Sequence, residues 1–147
     1  VGSEMCIRDS FSVACKQAQE NLPEFAKISH LVNRLQQGLK TICGDNLQIF
    51  SQEVDKIPNT LLFSVANQNS QTALIHCDLH NIYLSAGAAC SSGSINQSRI
   101  LKALSAEPQF LQGALRISLG LSNTEAEIDY FLNVYQDYYQ LQQKLCQ

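Results

Sequence analysis

The chain has 147 residues, 45% of them hydrophobic and 16% charged, with a formal net charge of −3. That length supports one domain with a genuine core. The acidic balance and the lack of any Lys/Arg cluster leave no electrostatic footprint for nucleic acid, and no apolar run is long enough to span a bilayer.

Residues 1–10, VGSEMCIRDS, show no clear helical or strand period and are read as a non-native leader. They carry no signal-peptide pattern, so a cytoplasmic setting is expected. From Phe11 the chain turns helical: Ala14, Ala18 and Leu22 recur at helical spacing before Pro23, which either opens a second helical segment or bends a continuous one. Ile28, Leu31, Val32, Leu35, Leu39 and Ile42 follow the i, i+3, i+4, i+7 rule, and Gly44 reads as the C-cap. His30 and Arg34 fall beside this stripe, where a solvated face is expected.

Leu47–Ser51 and Thr60–Val65 read as extended runs joined by a polar connector ending in Pro58. A helix over Ser70–Leu79 turns Ala73, Leu74 and Cys77 inward, and Ile82-Tyr83-Leu84 reads as a short buried strand. Ile100, Leu101 and Leu104 mark a short helix, and Pro108 and Gly113 bracket a connector. Leu115, Ile117 and Leu119 alternate with Arg116 and Ser118, a half-buried strand. Thr124 with Glu127 makes a capping box for a final helix whose apolar face is Ile128, Phe131, Leu132, Tyr135 and Tyr139. Such interleaving predicts an α+β domain with a mainly antiparallel sheet and helices on one side.

Between the strand at residue 84 and the helix at 100 lies Ser85–Ser94, SAGAACSSGS: one thiol, Cys90, among Ser, Ala and Gly. Unpaired cysteines are more often inert core filler, but these neighbours supply no pocket to bury one, and Gly and Ser favour a mobile backbone. The expectation is a sulfur on a tether that exposes it and lets it travel. The other cysteines, Cys6, Cys15, Cys43, Cys77 and Cys146, form no C-x-x-C pair, and without an export signal a disulfide framework is not expected. His76 and His80 share a face in the run HCDLH, but without a third and fourth ligand no metal site is assigned.

The run LSAGAACSSGS, followed by GALRISLG and TEAEIDYF and preceded by IPNTLLFSV, resembles the C-terminal part of the cysteine desulfurases. These are pyridoxal-phosphate enzymes of the class-V aminotransferase type, and the resemblance is to the subgroup with a long Ser/Gly cysteine loop, typified by those of nitrogen-fixation and housekeeping iron–sulfur assembly. It runs from about Phe11 to the C-terminus and is most specific between Ile57 and Tyr130.

The resemblance implies that residues 11–147 are the small C-terminal domain of a fold-type-I pyridoxal-phosphate transferase, with the large cofactor-binding domain missing. Cys90 is then the catalytic thiol, which takes the sulfur of L-cysteine as a persulfide and leaves L-alanine. Arg116 binds the substrate carboxylate, since a guanidinium holds a carboxylate bidentately and stays charged; alternation alone would send it to solvent. Asn59 in PNT also matches, with only a strand-start role. The implied partners are L-cysteine and an iron–sulfur scaffold or other sulfur acceptor, with a homodimer at full length. No Ser-x-His-Lys segment for a Schiff base is present, and none of Lys16, Lys27, Lys40, Lys56, Lys102 and Lys144 has such a context. The chain alone is therefore expected to be inactive. A sulfur-carrier or partner-binding domain without its own cofactor chemistry, and a selenocysteine lyase, remain as alternatives.

Overall fold

The computed structural model describes residues 2–87, 99–104 and 106–145, with side-chain surroundings from Cys6 onward and excluding those of Arg99 and Ile100. Cys90 and Cys146 lie outside the described residues. In chain order the elements are α1 (Gly2–Asn21), α2 (Phe25–Cys43), β1 (Leu47–Ile49), β2 (Thr60–Val65), α3 (Ser70–Leu79), β3 (Ser85–Ala86), α4 (Arg99–Ala103), β4 (Leu115–Ser118) and α5 (Glu125–Leu145). The four strands form one antiparallel sheet in the order β1-β2-β4-β3.

Strand alternation gives this sheet two unlike faces. On one, Leu61, Phe63 and Val65 of β2 and Leu115 and Ile117 of β4 are buried beneath α2, α3 and α5, together with Ile28, Leu35, Leu39, Ile128 and Tyr135. On the other, a smaller cluster gathers Phe50, Leu101 and Ala114 with the half-buried Leu62, Ala106 and Leu111. The α+β class and the antiparallel sheet are as expected. The three long packed helices share one face, as expected, while the short α4 contributes Leu101 to the cluster that includes Leu62, on the opposite face.

The helix boundaries follow from local chemistry. Pro23 opens a 3-10 turn, Leu22–Glu24, that separates α1 from α2, so the chain takes the two-segment alternative. Gly44 ends α2 at φ 53°, ψ −131°, a conformation a side chain resists, and its N–H donates to the Lys40 carbonyl. Before α3, the Asn69 side chain accepts from the Gln71 N–H. The predicted box at α5 is formed: Thr124 N–H donates to Glu127 Oε2 at 2.8 Å and Glu127 N–H to Thr124 Oγ1 at 3.3 Å. That contact, with Asn123, holds the Glu127 carboxyl below its ordinary range.

Four expectations change. Residues 2–10, read as lacking a period, continue the helix expected from Phe11, and every side chain from Cys6 to Glu24 is exposed, including the stripe Ala14, Ala18 and Leu22. No core lies within reach of that stripe among the described residues. The strand expected at Ile82–Leu84 falls instead at Ser85–Ala86. Asn81 turns the chain at φ 58° and the Ile82 N–H closes back on the Cys77 carbonyl, so residues 82–84 leave the helix before any strand partner is reached, and Tyr83 is 80% exposed. The first strand ends at Ile49, short of Ser51; the Phe50 N–H still bonds the Leu62 carbonyl, but Ser51 turns away at φ 57°.

Arg34, expected on a solvated face, is instead a clamp between α2 and α5. Its Nε and Nη2 reach the two oxygens of Asp129 at 2.7 Å each, with Glu125 3.6 Å from Nη1. The same pair raises the guanidinium's proton affinity and lowers the Asp129 carboxyl, chiefly through the side-chain hydrogen bond.

Behind β2, the chain from Pro108 to Ala114 is laced to the β2–α3 turn. Asn67 N–H meets the Gln109 carbonyl, Ser70 N–H the Gln112 carbonyl, and the buried Ser64 hydroxyl donates to the Phe110 carbonyl at 2.6 Å. Gly113 permits this contact, because a Cβ there would stand 2.5 Å from the Val65 carbonyl oxygen, an atom fixed in the sheet. Gly113→Ala is expected to destabilise the chain by about 1–3 kcal/mol, the usual cost of overpacking against backbone. Urea denaturation should show a lower midpoint with an unchanged slope; an unaltered midpoint would mean the segment shifts without cost.

Candidate functional site

The alternation that buries Leu115 and Ile117 turns Arg116 to the opposite face, half-exposed. The sheet register sets its neighbours. Arg116 pairs directly with Leu62 of β2 on one side and with Ser85 of β3 on the other. Residues opposite one another in an antiparallel ladder share a face, so the arginine stem is flanked by one large apolar residue and one small polar one. Among the described residues its guanidinium has neither an ion pair nor a hydrogen bond. Arg34, by contrast, is fully engaged with Asp129.

Two residues along, Ser118 faces Thr60, with their hydroxyl oxygens 3.5 Å apart. Asn59 sits where the resemblance put it, at the start of β2, and its carbonyl accepts the Leu119 N–H at 2.8 Å. On the far side the ladder extends past β3, the Gly87 N–H donating to the Ala114 carbonyl at 2.9 Å. The chain is thus held to β4 up to Gly87, three positions before Cys90, and enters the Ser/Gly run beside Arg116. A Cβ at Gly87 would lie 3.0 Å from the Ala114 Cβ and 3.5 Å from Leu62 Cδ1, so the strand hugs this face closely.

The site residues proposed from sequence therefore separate. Arg116 occupies the sheet face opposite the main core, half-exposed; Cys90 falls outside the described residues. Leu62 and Ser85 escaped sequence reasoning, because alternation fixes a face but only the register tells which residues stand opposite.

The other cysteines divide by environment. Cys43 and Cys77 are buried, and burial pushes their thiols up to about 12 and about 11. Cys6 and Cys15 are exposed on α1. In the HCDLH run, Cys77 points into the core, the His76 ring packs against Tyr138 of α5, and the rings of His76 and His80 lie 5.0 Å apart. No group of three or more His, Cys, Asp or Glu side chains is positioned to hold a metal among the described residues.

Comparison with known proteins gives these features a context. The aminotransferase class-V family model matches residues 20–131. A cysteine desulfurase IscS of Clostridium botulinum is 34% identical over 123 residues, covering 82% of this chain and 31% of that protein. A cysteine desulfurase 2 of Trichormus variabilis is 31% identical over 121 residues, covering 82% and 30%. Among solved structures, the NifS-like protein of Rickettsia africae superposes with a TM-score of 0.76 at 30% identity, covering 88% of this chain and 33% of that one. The chain spans about a third of the length of the curated relatives it matches.

The thiol environments predict an order of reaction. A brief pulse of iodoacetamide on the folded chain should modify Cys90, Cys6 and Cys15 well before Cys43 and Cys77, whose raised pKa leaves almost no thiolate at neutral pH. Peptide mapping by mass spectrometry reads the order, and modification of Cys77 ahead of Cys90 would defeat the tether argument.

Proposed function

Because the chain belongs to the class-V aminotransferase family, whose members depend on pyridoxal phosphate, we propose that it is the C-terminal part of a cysteine desulfurase. In this reading Arg116 binds the carboxylate of L-cysteine and Cys90 receives its sulfur as a persulfide, leaving L-alanine. The terminal sulfur then passes to an acceptor protein of iron–sulfur assembly.

The observation that carries the reading is the placement of Arg116. Among the described residues it is an unpaired guanidinium on the sheet face opposite the main core, directly across from Ser85, where the run leading to Cys90 begins. A planar fork with no acid to satisfy it among the described residues favours a carboxylate ligand. The side chains around it suit orientation: Leu62 packs one flank, and the small Ser85 leaves room on the other.

The chain's own residues do not fit the cofactor. All six lysines are exposed, and an imine-forming lysine needs a desolvated pocket to lower its pKa. Pyridoxal phosphate, when bound, supplies an electron sink for the substrate; in this proposal the binding residues belong to polypeptide outside this chain. The purified chain, mixed with pyridoxal phosphate and reduced with borohydride, should yield no single stoichiometric lysine adduct by peptide mapping. One specific adduct would give the chain a cofactor site of its own.

Roles for the two residues are separable in a chimera joining residues 11–147 to the N-terminal two thirds of the Clostridium botulinum relative. Cys90→Ser should still bind cysteine but lose persulfide formation. Arg116→Lys keeps the charge but loses the fork, so cysteine binding should weaken by about 1–3 kcal/mol. Alanine release at the parental rate in Cys90→Ser, with acceptor present, or unchanged cysteine affinity in Arg116→Lys, would remove the corresponding residue from the site.

A further inference from the structure

The ladder between β3 and β4 ends on a glycine that no left-handed backbone requires, since Gly87 lies outside that region. What this glycine supplies is room. Its N–H donates to the Ala114 carbonyl at 2.9 Å, one rung beyond the Ser85–Arg116 and Ala86–Leu115 pairs. A Cβ at this position would stand 3.0 Å from the Ala114 Cβ, well inside the optimal carbon–carbon separation of about 3.5–4.0 Å. Its other neighbours, Leu62 Cδ1 at 3.5 Å and the Ala114 carbonyl oxygen at 3.6 Å, would be in ordinary contact. A single methyl group therefore opposes any side chain at position 87.

That methyl cannot yield. Ala114 is 4% exposed and packs with Phe50 and Leu101, and the next residue, Leu115, is buried in the main core on the other face. A side chain at position 87 would instead displace β3, two residues at the edge of the sheet. The rung sets a length of chain. Cys90 is three residues beyond Gly87, at most about 10–11 Å at full extension. Were the β3 pairing lost, the last residue held by packing would be Leu84, against the main core, and the link to Cys90 would double to six residues. The effective concentration of a tethered group falls roughly as the −3/2 power of linker length, so doubling it costs about threefold.

We propose that Gly87 is a positioning residue for the sulfur-transfer step: its missing side chain lets β3 close on Ala114 beside Arg116 and so fixes the short length of chain between the sheet and Cys90. This inference rests on the desulfurase reading of Arg116 and Cys90. Gly87 acts through the placement of β3 and touches no substrate. Arg116 is held separately, on β4 and by its pairing with β2, so displacing β3 affects transfer to the thiol more than binding of the carboxylate.

The test compares Gly87→Ala, Ala114→Gly and the double variant, each in the chimera described above and in the full chain. In the chimera, Gly87→Ala should slow persulfide formation about threefold or more in single turnovers at saturating cysteine, with cysteine affinity within about twofold of the parent. Ala114→Gly removes the opposing methyl, so the double variant should run at the rate of Ala114→Gly alone. In the full chain, hydrogen exchange of the amide at position 87 should quicken in Gly87→Ala and return in the double variant to the protection seen in Ala114→Gly. A parental rate or unchanged exchange in Gly87→Ala overturns the proposal, as does a deficit that survives in the double variant. A parental chimera that binds cysteine yet forms no persulfide overturns the desulfurase reading itself, and this inference with it.

Discussion

The pairing of β2 with β4 is the constraint on which the remainder of the molecule depends. Leu61 opposite Ile117 and Phe63 opposite Leu115 give the helices an apolar floor, while Leu62 opposite Arg116 turns the arginine to the other side. Because side chains alternate with a period of two, a slip of one residue would bury the guanidinium beneath Tyr135 and expose the floor. Burying an unpaired charge is prohibitive, so the same register that stabilises the core also excludes its nearest competitor. The position of Arg116 is thus enforced by the energetics of folding.

Much of this was legible in the sequence because the patterns were long and unambiguous. The stripe Ile28–Ile42 and the capping box at Thr124 each combine a period with a terminus signal, and both elements formed where expected. Alternation around Arg116 gave its face. The strand before the Ser/Gly run was misplaced by three residues because a short apolar triplet, Ile82–Leu84, carries no period, and Asn81 supplied a turn that the triplet could not reveal. Val134 and Tyr138 joined the buried face of α5 unannounced, since α5 packs against both α2 and α3 and buries a wider arc than one stripe.

Two of the arginines on regular elements show why sequence alone underdetermines roles. Arg34 and Arg116 both sit beside apolar runs, and pattern assigned both to solvent. Arg34 meets Asp129, a residue 95 positions away, through the packing of two helices. Among the described residues Arg116 meets Leu62 and Ser85 and no acid. The difference lies wholly in long-range pairing, which a one-dimensional pattern does not encode. For Arg116 the proposed task, binding a carboxylate, comes from the resemblance to the desulfurases.

The central position of β4 also has a consequence in time. Its partner β2 precedes it by 58 residues at the Thr60–Ser118 contact, and α5 closes on α2 across the 95 residues between Arg34 and Asp129. At about 5–20 residues per second on the ribosome, that gap lasts roughly 5–20 s. Leu35 and Leu39 for nearly all of that interval, and Phe63 and Val65 for its later part, have been synthesised without the surface that finally covers them. The nascent chain therefore presents a sticky half-core for seconds, and it needs either a chaperone or transient shelter against itself until α5 emerges.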